Sequence, residues 1–296
     1  MATLKDVKNK IKAVKKTKQI TKAMNMVAAS KLRSAQANME AFRPYARKFA
    51  EVLGNLAERA GEGASPLLVP REEVKTIHIV LCTSDRGLCG GFNTNLLEKA
   101  EAFMRQKSGT GVRFALTAFG RKARNWSRKS EAALADEYLG VMGTGIKFNE
   151  AATAGRKLVQ SYLDGSADEV YIIYAEFLST ARQVPVLKKL LPIPPIEKAE
   201  AEAPAAGGYL PEHICEPSAA ELFGEMLPRN ICVQLFSALL ETSASEHAAR
   251  MVAMDNATKA CNDMIANLTL AFNKARQSAI TAELMDIVGG AEALKG

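Results

Sequence analysis

No uninterrupted apolar run in this 296-residue chain approaches the roughly 20 residues needed to cross a bilayer. A role at a membrane would therefore require another protein to hold the chain there. The lysine-rich amino-terminal segment also lacks the short apolar core and cleavage site of a signal peptide. Aromatic residues are sparse, 6% overall, and none precedes Phe42. The early lysines thus have no stacking platform of the kind that nucleic-acid grooves use. The five cysteines, Cys82, Cys89, Cys215, Cys232 and Cys261, form no CxxC pair and no metal-like spacing with the three histidines. That argues against a zinc site and suits a reducing compartment.

What the chain does contain is periodicity. Met251, Met254, Thr258, Cys261, Ile265, Leu268, Phe272, Ala275, Ala279 and Ala282 step alternately by three and four residues. Leu4, Val7, Ile11 and Val14 start a second such series, which resumes at Ala28 and continues through Leu32, Ala35, Met39, Phe42, Ala46, Phe49, Leu53 and Leu56. A repeat near 3.5 residues keeps one stripe of a helix against a partner and imposes a left-handed supercoil. Between Val14 and Ala28 the seam positions are polar, Lys18, Thr21 and Asn25, with Ile20, Met24 and Val27 beside them. The expectation is that the apolar stripe slides sideways there. Pro44 should kink the first helix without ending it, because the register continues unshifted past it.

Charge is partitioned in the same way. Residues 1–59 hold 14 Lys+Arg against 4 Asp+Glu, and the remainder 25 against 28, so the net +7 resides on the first helix. Such a face is solvated surface or a complement to an acidic partner.

Between the two seams the pattern changes. Thr76–Cys82, Arg113–Phe119 and Glu169–Phe177 read as buried strands, Glu137–Met142 as a short one, and Val184–Ile193 as a strand antiparallel to its predecessor. Helical segments at 93–106, 122–130 and 149–163 alternate with them, the signature of a parallel α/β sheet. Residues 60–74, with Gly61, Gly63, Pro66 and Pro70, read as a linker. Ser218 and Glu221 form a capping box for a short helix that stops near Pro228. A long helix then runs from Arg229 to Val288, where Gly289-Gly290 ends it. The fold class is α/β plus a long coiled coil: an antiparallel two-helix coiled coil formed by the chain termini, with a central Rossmann-like α/β domain. The expected boundaries are 1–58 for the first coiled-coil helix, 75–195 for the α/β domain, 196–217 for a linker rich in Ala, Glu and Pro, and 218–288 for the second helix, paired with 1–58.

The segment most like an active site is Cys82-Thr83-Ser84-Asp85-Arg86-Gly87-Leu88-Cys89-Gly90-Gly91-Phe92-Asn93, a glycine-rich turn after the first strand and before a helix, with Ser84–Gly90 as its loop. Phosphate sites occupy that place in α/β folds. The segment nevertheless lacks both G-x-x-x-x-G-K-[ST] and G-x-G-x-x-G spacing. Cys89 at a helix start could be a nucleophile, but no histidine is linked to it in sequence. A structural or docking loop is the better reading, with no catalytic, cofactor or metal residues assigned. His247, alone on its helix, reads as a packing or hydrogen-bonding residue.

Four segments carry a family resemblance. Lys18-Gln19-Ile20-Thr21-Lys22-Ala23-Met24-Asn25-Met26-Val27-Ala28-Ala29-Ser30-Lys31, the Ser84–Gly90 turn, Ser245–Met254 and Asn273–Thr281 resemble, in this order, the signatures of the gamma subunit of the rotary ATP synthase. The absence of a leading transit sequence and of a cysteine-bearing insertion suggests the bacterial type. The resemblance implies a non-catalytic, proton-translocating-synthase rotor shaft without cofactor or nucleic acid. Its implied partners are the alpha and beta subunits of the catalytic hexamer, the epsilon subunit and the c-subunit ring. Its implied place is the cytoplasmic face of the bacterial inner membrane, held peripherally. By the same resemblance, Met24, Arg276, Gln277 and Thr281 contact the hexamer. The competing readings are a coiled-coil dimeric binding module whose α/β domain takes a nucleotide or nucleic acid, and an enzyme using Cys89.

Overall fold

The computed structural model describes residues 4–60, 65–109, 111–194 and 218–293. The expected 196–217 linker, with Cys215, lies outside them. The elements in chain order are α1 (Leu4–Ala60), β1 (Thr76–Cys82), α2 (Phe92–Ser108), β2 (Arg113–Phe119), α3 (Arg121–Ser127), β3 (Ala133–Tyr138), α4 (Val141–Thr144), α5 (Phe148–Leu163), β4 (Glu169–Phe177), β5 (Gln183–Leu191) and α6 (Ala219–Ala293). They form two compact units, Met1–Ala28 with Arg250–Gly296, and Ala29–Ala249.

The larger unit is built on a sheet of order β3-β2-β1-β4-β5. β1 pairs parallel with β2 and β4, β2 parallel with β3, and β4 antiparallel with β5. Central β1 alternates between two cores. Ile77, Ile79 and Leu81 join Leu96, Phe103 and Leu116 on the α2 side, while Val80 and Cys82 join Leu53, Leu158, Phe223 and Leu235 on the side of α1, α5 and α6. Burial on both faces is why the strand reads as an unbroken apolar run. Gly155 on α5 permits close approach to α6, since a Cβ there would sit 2.7 Å from the Cys232 sulfur. Within this unit Phe42 of α1 meets Phe236 of α6 edge-to-face at 4.7 Å.

Three expected boundaries are corrected. α6 does not stop near Pro228 but includes it. Phe223, Leu227, Ile231 and Leu235, each no more than 1% exposed, bury the turns on both sides of the proline and offset its missing hydrogen bond. The Ser218 hydroxyl does cap this helix, accepting from the Glu221 amide at 3.2 Å. α6 also runs through Gly289-Gly290 to Ala293. Neither glycine adopts the positive φ that a helix-ending cap uses. The third strand lies earlier than expected, at Ala133–Tyr138, and Gly140 at φ 78° turns the chain into α4.

In the smaller unit the two seams face each other antiparallel. Thr21 and Thr258 share a hydroxyl hydrogen bond of 2.8 Å, and the Asn25 amide donates to the Met251 carbonyl at 2.8 Å. From Met251 to Ala279 each residue of the carboxy-terminal series is less exposed than its neighbours, or equal to the least exposed of them, whereas Ala282 is exposed. The expected sideways slide of the stripe does not occur. Thr21 is 8% exposed, while Ile20, Met26 and Val27 are 57–60% exposed. Hydrogen bonds across the seam keep polar residues in register where apolar contact alone would have turned the helix.

Candidate functional site

Two sets of side chains expected from the sequence to be functional lie on the smaller unit, and the fold keeps them apart. Met24 is half-buried beside the polar layer of Thr21 and Asn25. Arg276, Gln277 and Thr281 are exposed. Asn25 is level with Met251, and Arg276 lies 25 residues further along α6, about 38 Å at the helical rise. The Thr281 hydroxyl already donates to the Gln277 carbonyl at 2.9 Å. Toward a partner it can only accept, so Arg276 and Gln277 are the donors of this set. Beyond them Ile280, Leu284, Met285, Ile287 and Val288 stand 48–68% exposed, with the start of α1 already passed.

In the larger unit the Ser84–Gly90 turn is held from within by Asn93, on the first turn of α2. Its Nδ2 donates to Ser84 Oγ at 2.8 Å and to Cys89 Sγ at 3.1 Å, and its Oδ1 accepts from the Ser84 amide at 3.1 Å. Ser84 Oγ donates to the Arg86 carbonyl at 2.5 Å. Asp85 ties the turn outward, its Oδ1 accepting from the Arg121 and Gly140 amides at 3.2 and 3.1 Å. Thr83 takes the Ala123 amide at 2.9 Å, and a Cβ at Gly120 would collide with the Thr83 carbonyl. Asn93 closes the segment that the sequence marks, whereas Gly120 and Gly140 lie outside it. No local signal links either glycine to the turn, because each meets it only through the fold.

This geometry favours presentation over chemistry. Cys89 is 2% exposed and its sulfur is held by Asn93, so it is closed to a substrate, and burial pushes the Cys82 thiol up, away from the reactive thiolate. Leu88, by contrast, is 64% exposed and held at φ 63°, a conformation costly for any residue but glycine. His247 is 6% exposed on the buried stretch of α6. Among the described residues no group of His, Cys, Asp and Glu could hold a metal ion, and no helix is long and apolar enough to cross a membrane.

Long terminal helices whose seams pair antiparallel, together with a Rossmann-like sheet whose first turn lacks phosphate-cradle spacing, define a protein of mixed α/β class with a terminal helix pair. The family model described as ATP synthase matches residues 3–294. The ATP synthase gamma chain of Desulfosudis oleivorans is 63% identical over 298 residues, covering 100% of both chains. That of Nitratidesulfovibrio vulgaris is 53% identical over 296 residues, again with 100% coverage of both. Among solved structures, a chain of the Euglena gracilis mitochondrial ATP synthase (OSCP/F1/c-ring, rotational state 3) shares the fold with a TM-score of 0.65 at 19% identity, covering 98% of this chain and 94% of that one. A chain of the Tetrahymena thermophila central stalk/c-ring structure does so with a TM-score of 0.60 at 24% identity, covering 80% and 99%. The chain belongs to the ATP synthase gamma-chain family. Its full-length match does not favour the dimeric binding module.

Proposed function

We propose that this chain is the central rotor shaft of a bacterial, proton-translocating ATP synthase, coupling rotation of the c-subunit ring to the catalytic alpha/beta hexamer without catalysing a reaction itself. The observation that carries the reading is the antiparallel seam with its polar layer, on a chain that matches gamma chains from end to end. A single chain inside a ring of three equivalent catalytic sites cannot touch all three alike. Each set of contacts shifts its own subunit's equilibrium among empty, loose and tight states, and turning the shaft passes those biases around the ring. Arg276, Gln277 and Thr281 form the catch, Met24 meets the hexamer from the other helix, and Ser84–Gly90 is a docking loop. The larger unit stands on the c-ring beside epsilon, and the complex holds the chain peripherally at the cytoplasmic face of the inner membrane. The working parts proposed are α1 and α6 as the paired helices, with α6 running to Ala293, and residues 75–195 as the foot.

The test is reconstitution of the chain with the hexamer and ring in vesicles. The wild-type chain is expected to support ATP-driven proton uptake. Replacing Arg276 and Gln277 by Leu and Thr281 by Val is expected to leave assembly intact while lowering multi-site ATP turnover. Full turnover and proton uptake in the triple variant would remove these residues from the coupling path.

A further inference from the structure

A small cavity in the larger unit, to which the proposed function gives no role, has the makings of a ligand site. Its volume is about 220 Å3, and it lies between α1, α6 and the α4–α5 connection. That is below the ~300–1,000 Å3 of pockets for ordinary organic ligands, so a small occupant is implied. Helical spacing builds its polar wall. Lys31, Ser34 and Asn38 fall on one face of α1, at i, i+3 and i+7, and Ser243 and His247 fall on one face of α6, at i and i+4.

The chemistry of that wall is one-sided. It offers an ammonium, two hydroxyls, a carboxamide and an imidazole, and no carboxylate lines it among the described residues. Lys31, Ser34, Asn38 and Ser243 make no side-chain hydrogen bond or ion pair to any described residue. For the exposed groups water suffices. Ser243 is different: it is 8% exposed, it faces the cavity, and it does not use the back-bond to a preceding carbonyl that Thr242 makes at 2.7 Å. Its oxygen opens into the cavity rather than being sealed from it, and it is available to an occupant there.

We infer that this cavity is a site for a small tetrahedral oxyanion, inorganic phosphate or sulfate, held by Lys31 with the hydroxyls of Ser34 and Ser243, the Asn38 amide and His247. Donors on two helices and a cation line the same cavity, an arrangement better matched by an anion with oxygens on four sides than by a flat carboxylate. The same chemistry would accept the phosphate group of a small metabolite. The proposal is independent of the rotor reading, because the site is formed by this chain alone.

The test uses the isolated full-length chain and inorganic phosphate, followed by phosphorus NMR line broadening, which solute exclusion from a protein surface does not produce. Saturable broadening is expected for the wild type. Lys31→Met is expected to weaken it about tenfold and Ser243→Ala several-fold. Lys99→Met, which removes an equal charge from the exposed face of α2, is expected to leave it unchanged. Sulfate should compete and acetate should not. A phosphorylated metabolite that competes more strongly than phosphate would identify the fuller ligand. No broadening, broadening indifferent to Lys31 and Ser243, or equal competition by acetate would each overturn the proposal. Circular dichroism of each variant separates lost binding from lost folding, and His247→Gln supplies a further variant should Ser243→Ala unfold.

Discussion

At the scale of single residues, two side chains are held against their intrinsic preference, for different reasons. His78 lies in the middle of β1, 6% exposed, with a ring nitrogen 2.8 Å from Thr117 Oγ1. Burial holds its pKa at about 4 against the ordinary 6.5, with the Asp136 charge acting weakly the other way. The unfolded chain therefore takes up a proton more readily than the folded one between those two values. Above pH 6.5 the histidine costs nothing. As pH falls from 6.5 to 4, it withdraws about 3 kcal/mol of stability. Urea denaturation over that range should show the decline, and the paired change His78→Leu with Thr117→Val should flatten this part of it. An unchanged slope would place the acid sensitivity elsewhere. Leu88 is held at φ 63° with most of its side chain in solvent. Leu88→Gly should leave folding stability within about 1 kcal/mol, because relieved strain and added unfolded-chain entropy oppose each other. If the loop docks as proposed, the same change removes a side chain whose burial is worth about 1.5–3 kcal/mol. Dissociation of the chain from the assembled complex should then quicken about tenfold or more. Dissociation as slow as wild type would make the strain a purely structural matter.

At the scale of elements, the polar layer of the helix pair does what apolar seam residues cannot. Leucine-like contacts are satisfied at several axial offsets, whereas a hydroxyl pair and an amide-to-carbonyl bond close at one. Lys18 and Cys261 stand three residues beyond Thr21 and Thr258 on opposite strands of the seam. In the Lys18→Cys variant, mild oxidation should therefore yield one disulfide, to native Cys261. Adding Thr21→Val, Asn25→Leu and Thr258→Val should raise the melting temperature yet spread the cross-links over slipped registers. A single cross-link in both backgrounds would show that the apolar seam fixes the offset by itself. The same elements show what sequence makes legible. Strands β1, β2 and β4 begin and end where their apolar runs do, because a strand covered on both faces declares itself in composition. Edge strand β3 is mostly exposed and has no such run, which is why the sequence alone points to a later segment, Glu137–Met142. The heptads were plain, but the partners of Thr21 and Asn25 lie more than 220 residues away, and no local pattern encodes them. The Ser84–Gly90 turn is legible in sequence from its glycines. Its rigidity is not, since it comes from Asp85 reaching Arg121 and Gly140 and from Gly120 lying against Thr83.

At the scale of the whole molecule, charge and apolar surface are separated along the chain, and they should govern different rate constants of assembly. Residues 1–59 carry a net +10 and the remainder −3, an imbalance that acts at a distance and is screened over roughly 8–10 Å at ordinary salt. The exposed Ile280, Leu284, Met285, Ile287 and Val288 act only on contact, through burial. If the proposed partner is an acidic hexamer collar, the first feature sets the rate of encounter and the second the lifetime of the complex. The association rate of the full-length chain with preassembled alpha/beta hexamer should fall about tenfold or more from low to physiological ionic strength, with little change in dissociation. Replacing the exposed Lys8, Lys12, Lys15 and Lys22 by Gln should flatten that dependence without altering the dissociation rate. Changing Leu284 and Val288 to Ser should do the reverse, quickening dissociation at every salt concentration while leaving the association slope intact. Stopped-flow mixing of labelled chain and hexamer measures both constants. An association rate indifferent to salt would reduce the lysine face to solvated surface and leave the apolar end of α6 as the sole driver of docking.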